Sequence, residues 1–108
     1  MKAAKTFSAV LITAPNRTIA RKLARGALRA KLVACVNLVP KIESHYRWQG
    51  RIESGTEVLM ICKTTNRKLA AFEKFVLAHH PYDTPEFVVL PMTAGMARYL
   101  DWINASVK

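Results

Sequence analysis

The ionisable nitrogen and sulfur donors that commonly hold metals belong here to two cysteines, Cys35 and Cys62, and three histidines, His45, His79 and His80. Thiolates and imidazoles are side chains that hold soft and borderline transition-metal ions. Their spacing forms no CxxC or HxxxH pattern, so no metal motif is written in the sequence. Each cysteine lies in an apolar, strand-like run, Leu32–Val36 and Val58–Cys62. A thiol there packs as a small apolar group, and burial keeps it protonated and inert. The chain also lacks a nucleophile elbow, a phosphate loop and closely spaced paired carboxylates, so hydrolytic and transferase chemistry is not expected. Met60 and Cys62 share one strand face and read as core.

The chain has 108 residues, enough for one domain over 1–108, with its core at about 6–105, and for a hydrophobic core without disulfides or metals. An apolar fraction of 51% excludes intrinsic disorder. No apolar run is long enough to span a membrane. The net charge is +10, and its basic excess sits before residue 43, where nine Lys and Arg stand without one acid. Such an excess attracts polyanions, although a solvated helix face explains it more simply. Lys2 and Lys5 ahead of Phe7–Ala14 faintly resemble a secretory signal. The stretch runs into Pro15-Asn16 without a cleavage site, so a first strand is the better reading. Two cysteines without a disulfide framework point to a reducing cytoplasm.

The elements follow from periodicity. Thr6–Ala14 reads as a buried strand. Asn16 caps a helix over residues 17–31, with Ile19, Leu23, Ala27 and Ala30 on one stripe and Arg17, Arg21, Arg25 and Arg29 on the other. Residues 32–48 are extended, continuously apolar at first and alternating past Pro40. Gln49-Gly50 is a hairpin turn, and the return strand covers about 51–64. Asn66 caps a second helix to residue 79, with His79 on or near its buried stripe. Residues 80–85 are loop, because two prolines exclude regular structure. Glu86–Met92 is the last strand, and residues 96–105 form a terminal helix. The order β-α-β-β-α-β plus one helix is the α+β, ferredoxin-like arrangement of an antiparallel sheet.

One dimension does not fit a closed monomer. Seventeen extended residues span about 55 Å, whereas a domain of this size measures roughly 30–35 Å across. The hairpin therefore projects as an arm or bends at Pro40. An arm carrying Ile42, Tyr46, Trp48 and Ile52 is an apolar edge that needs a partner, and a second copy of the chain is the expected one.

Several blocks carry a family resemblance. Leu32-Val33-Ala34-Cys35-Val36-Asn37-Leu38-Val39-Pro40, Tyr46-Arg47-Trp48-Gln49-Gly50-Arg51-Ile52 and Glu57-Val58-Leu59-Met60-Ile61-Cys62-Lys63-Thr64 stand in order. His80-Pro81-Tyr82, Pro85-Glu86 and Tyr99-Leu100-Asp101-Trp102-Ile103 follow. Together they resemble the CutA divalent-cation tolerance family over roughly residues 7–105. The resemblance implies a homotrimer built like the PII signal transducers, a part in divalent-metal (copper) tolerance, and no known enzymatic activity. It points to Cys35 and His80 as candidate copper ligands, with no obligatory cofactor. It marks Trp48, Lys63, Tyr82, Asp83 and Glu86 as a candidate cleft or supporting set, and Tyr46, Trp48 and Ile52 as interface. Asp83 stands where the family usually has Glu, and the basic first helix is atypical.

Lys63 and Glu86 are a candidate ion pair across adjacent strands, and His45 on the arm a candidate surface ligand. The alternative to metal binding is a PII-like signalling or scaffold trimer for a small anion or a protein. Nucleic acid is not an expected partner, because the third strand, Glu57–Thr64, lacks the aromatics of an RNA-recognition motif.

Overall fold

Alternating apolar residues in the first and third long strands bury one face of each and leave the other half-covered. In the computed structural model, which describes residues 1–108, these strands are β2 (Phe7–Ala14) and β4 (Arg51–Thr65). A two-residue β1 (Lys2–Ala3) precedes them. The remaining elements are α1 (Arg17–Arg29), β3 (Cys35–Trp48), α2 (Leu69–His79), β5 (Val88–Pro91), β6 (Ala94–Gly95) and α3 (Ala97–Ser106). The main sheet is antiparallel in the order β3-β4-β2-β5, and β1 pairs with β6 in a separate ribbon. This is the expected ferredoxin-like arrangement, with the ribbon added.

Val10, Ile12, Val58, Met60 and Cys62 point to one face, where they pack with Ala20, Leu23, Ala24 and Ala27 of α1 and Phe72 and Val76 of α2. Each large side chain buried there contributes roughly 1.5–3 kcal/mol. A smaller cluster, Ala4, Phe7, Ala34, Leu100, Ile103 and Val107, seats α3. On the opposite face of the sheet α3 covers only the end near Phe7 and Lys63, and no helix lies over the rest. Cross-strand pairing puts Leu11, Ile61 and Val88 beside one another there, with Val39 and Leu59 one step along.

Several boundaries differ from the sequence reading. Residues 32–34 are buried but precede β3, because α1 ends in a Schellman closure: Lys31 N–H donates to the Leu28 carbonyl and Leu32 N–H to the Ala27 carbonyl. Lys31 takes the left-handed position, with φ of 56°. Ala30 lies outside the buried stripe. Asn16 does cap α1, accepting from Ile19 N–H at 2.9 Å. Asn66 does not cap α2. Its amide accepts from the Ser8 hydroxyl at 2.6 Å and donates to the Lys5 carbonyl at 3.0 Å, and a short 3-10 turn, Asn66–Lys68, leads into the helix. His79 is exposed, stacked on Phe75 and bonded to the Phe75 carbonyl.

The arm exists. Its strands pair from Ile42↔Glu57 out to Trp48↔Arg51, a projection of about 20 Å. Gln49 and Gly50 both have positive φ, as a two-residue hairpin turn demands. The register shifts between Val39 and Ile42, where Pro40 donates no bond and Lys41 is left-handed. The molecule measures 44 × 25 × 22 Å, and the arm accounts for its elongation.

Candidate functional site

The loop after α2 is fastened to the base of the arm. His80, 8% exposed, donates from Nε2 to the Thr13 carbonyl at 2.8 Å and accepts at Nδ1 from Tyr82 N–H at 3.1 Å. This pair of bonds fixes the Nε2–H tautomer and occupies both ring nitrogens. Tyr82 packs against the His80 ring, and its hydroxyl donates to Glu57 Oε2 at 2.7 Å. Burial, aided by the Glu57 carboxylate, pushes the Tyr82 phenol above its ordinary range, so it remains a donor at any physiological pH.

Between this loop and the arm runs an open groove of about 680 Å³. Tyr46, Trp48 and Tyr82 give it aromatic walls, and Glu43, Glu57, Asp83 and Glu86 line it with carboxylates. Four of the seven acidic residues of a chain with net charge +10 thus border one groove. Glu57 and Glu86 are close enough to interact, whereas Glu43 and His45 stand on the alternate hairpin face with side chains 80% and 60% exposed. Glu86 remains accessible to water, yet partial desolvation by the groove wall and then the Glu57 charge raise its pKa. His45 Nε2 lies 2.6 Å from Glu43 Oε2. The groove attracts cations and offers oxygen donors with one imidazole, a set suited to divalent ions rather than to reduced copper.

The two candidate soft ligands do not meet in one chain. Cys35 is registered with Lys63 and Ala9, whereas His80 bonds to Thr13, whose β4 partner is Leu59. Four residues along β4 correspond to about 13 Å, and His80 has no free nitrogen lone pair. Cys35 is half-buried on the uncovered sheet face, where its thiol donates to Asn37 Oδ1 at 3.6 Å. Lys63 approaches the same group, donating to Asn37 Oδ1 at 2.6 Å and lying 4.0 Å from the Cys35 sulfur. Cys62 faces the core, and burial pushes its thiol up to about 12. The two cysteines therefore lie on opposite sides of the sheet. No three His, Cys, Asp or Glu side chains converge closely enough within the chain to hold a metal ion.

Of the marked cleft residues, Trp48, Tyr82, Asp83 and Glu86 line the groove and Lys63 does not. The Lys63–Glu86 pair is corrected: β2 lies between β4 and β5, and Lys63 bonds to Asn37 instead. Thr13, Glu43, Ser44, Glu57, Thr84 and Pro85 were missed. The available signal was the hairpin turn, whose register sets Glu57 opposite Ile42, on the face that Ser44, Tyr46 and Trp48 share. Tyr46, Trp48 and Ile52 are all exposed, Ile52 at 74%.

Fold and groove together define a ferredoxin-like domain with a projecting arm and an acidic, aromatic cleft at its root. The CutA1 divalent ion tolerance protein model matches residues 8–106, and this chain belongs to that family. It is 46% identical over 103 residues to the divalent-cation tolerance protein CutA of Escherichia coli, covering 95% of this chain and 92% of that protein. It is 44% identical over 99 residues to the chloroplastic CutA of Arabidopsis thaliana, covering 92% of this chain but 54% of the plant protein. Across the plant, frog, mouse and human relatives, the chain spans 54–66% of their length. The crystal structure of CutA1 from Oryza sativa superposes with a TM-score of 0.93 at 39% identity, over 97% of this chain and 96% of that one. The periplasmic divalent cation tolerance protein CutA from Archaeoglobus fulgidus gives 0.92 at 40% identity, over 94% and 99%.

Proposed function

We propose that this chain is a homotrimeric divalent-cation-responsive protein that takes up copper or another divalent metal, with no catalytic role. The observation that carries the reading is the Glu57–Glu86 carboxylate pair, with Asp83, Glu43 and His45 at the border, in one groove of an otherwise basic chain. Ordinary carboxylates repel one another at such density, and a bound cation relieves that repulsion. Since one chain does not bring three ligands together, the site is completed between subunits, where the arm of one copy meets the body of the next. Support for the assembly comes from the uncovered apolar sheet face and from Tyr46, Trp48 and Ile52 exposed on the arm, since apolar surface on this scale marks an interface. The same assembly is the route by which Cys35, or a rearranged His80, joins a copper site.

No helix is long and apolar enough to cross a membrane. We place the protein in the cytoplasm on its two free thiols, while relatives carry chloroplastic and periplasmic in their names.

Chelator-competition calorimetry with Cu²⁺ and Zn²⁺ tests the assignment on four proteins: the parent chain, E57Q/E86Q, C35S and H80A. The reading predicts at least tenfold weaker binding in E57Q/E86Q. A C35S protein that alone loses copper relocates the site to the thiol. Parental binding in all three variants overturns Glu57, Glu86, Cys35 and His80 as ligands.

A further inference from the structure

The solvent face of α1 is a continuous cationic rail. Arg17, Arg21, Arg25 and Arg29 recur every four residues, a spacing of about 6 Å and a length of about 18 Å along the axis. Thr18, Arg21, Lys22, Arg25 and Arg29 line a shallow groove of about 320 Å³ that contains no apolar side chain. No acid neutralises them: the chain's ion pairs are Lys2–Asp101 and His45–Glu43, both elsewhere. The rail does not serve the helix. Like charges at this spacing destabilise it, Arg17 faces the positive end of the helix dipole, and the first turn holds no acid.

We propose that this rail docks on the phosphate backbone of duplex nucleic acid, without reading sequence. Four of its five cations are arginines, whose planar forks pair with two phosphate oxygens at once. Duplex DNA carries about one negative charge per 1.7 Å, so about ten phosphates lie alongside the rail. The face has no Asn, Gln or aromatic to contact base edges or stack on them. An anionic membrane fits less well, because the apolar stripe that a surface helix inserts into lipid is here buried against the sheet, as Ala20, Leu23, Ala24 and Ala27. This surface is separate from the sheet face used by RNA-recognition motifs and from the acidic groove.

The test is fluorescence anisotropy with a labelled random-sequence 20-base-pair DNA at 50 and 200 mM NaCl. Five phosphate contacts give a log–log salt slope of about −4.5, a loss of about 500-fold between the two salts. R21Q/R25Q lowers the slope to about −2.7 and weakens binding at least tenfold at 50 mM. R98Q/K108Q, with the same loss of charge far from α1, leaves both within twofold. Circular dichroism melting confirms that each variant is folded. Equal losses in the two double variants, or no DNA binding by the folded parent at 50 mM, overturn the proposal. So does tighter binding to phosphatidylserine–phosphatidylcholine vesicles than to DNA, which reassigns the rail to a membrane.

Discussion

Tyr82 is the side chain on which the groove depends. Its backbone N–H fixes the His80 ring, and its hydroxyl reaches across to Glu57 on the arm. His80 is thereby a structural histidine within one chain, and the sequence could not distinguish this role from metal ligation. A histidine followed by proline in a loop reads the same in both cases. Cys35 was equally ambiguous, since a continuously apolar run does not say which sheet face stays uncovered. Glu86 makes a pH prediction. Its folded pKa is raised, so the folded state holds the proton more tightly than the unfolded state. Its contribution is complete below the ordinary carboxylate pKa and is lost as pH rises through the raised folded value. Glu86→Gln is therefore expected to melt higher than the parent at pH 7 and level with it at pH 4. An equal offset at both pH values contradicts the assignment. Cys62, fully buried with its thiol near 12, is predicted to resist iodoacetamide in the folded protein at pH 8. Peptide mapping that finds it alkylated as fast as in guanidinium would contradict this.

At the scale of elements, the hydrophobic periods and turn residues were enough to read most of the chain. Phe7–Ala14, the α1 stripe and Gln49-Gly50 each obey a local rule, and local rules survive folding. The misreadings came where tertiary contacts override them. Asn66 has the composition of a cap but spends its amide on Ser8 and Lys5, and β1 and β6 are too short to show a period. The groove itself arises from register, which joins residues distant in sequence. Asn16→Ala removes the α1 cap and is expected to cost about 1 kcal/mol in urea denaturation, whereas a cost under about 0.3 kcal/mol speaks against the cap. Lys31→Gly relieves a left-handed residue at the helix end and is expected to stabilise by about 0.5–1 kcal/mol. A loss of stability would show that the Lys31 side chain makes a compensating contact.

The whole molecule separates its charges. Cations line the outer face of α1, and carboxylates gather at the root of the arm, on the side that a neighbouring copy is proposed to cover. The net +10 of the sequence hides this separation of a basic rail from an acidic groove. Assembly is the property most exposed to test by mass. Light scattering at micromolar concentration should give about 36 kDa, three times the 12.1 kDa chain. Ile52→Glu on the arm should lower that mass towards the monomer, and a parent protein already at 12.1 kDa would remove the basis for a shared site.

The central claim, a divalent-cation site completed between subunits at the acidic groove, is tested most directly by anomalous diffraction at the copper edge from a Cu²⁺-soaked crystal. The account predicts one peak per subunit within bonding distance of groove carboxylates or His45, with a neighbouring copy in contact. A peak on Cys35 away from the groove, or none in the groove at full occupancy elsewhere, would contradict it.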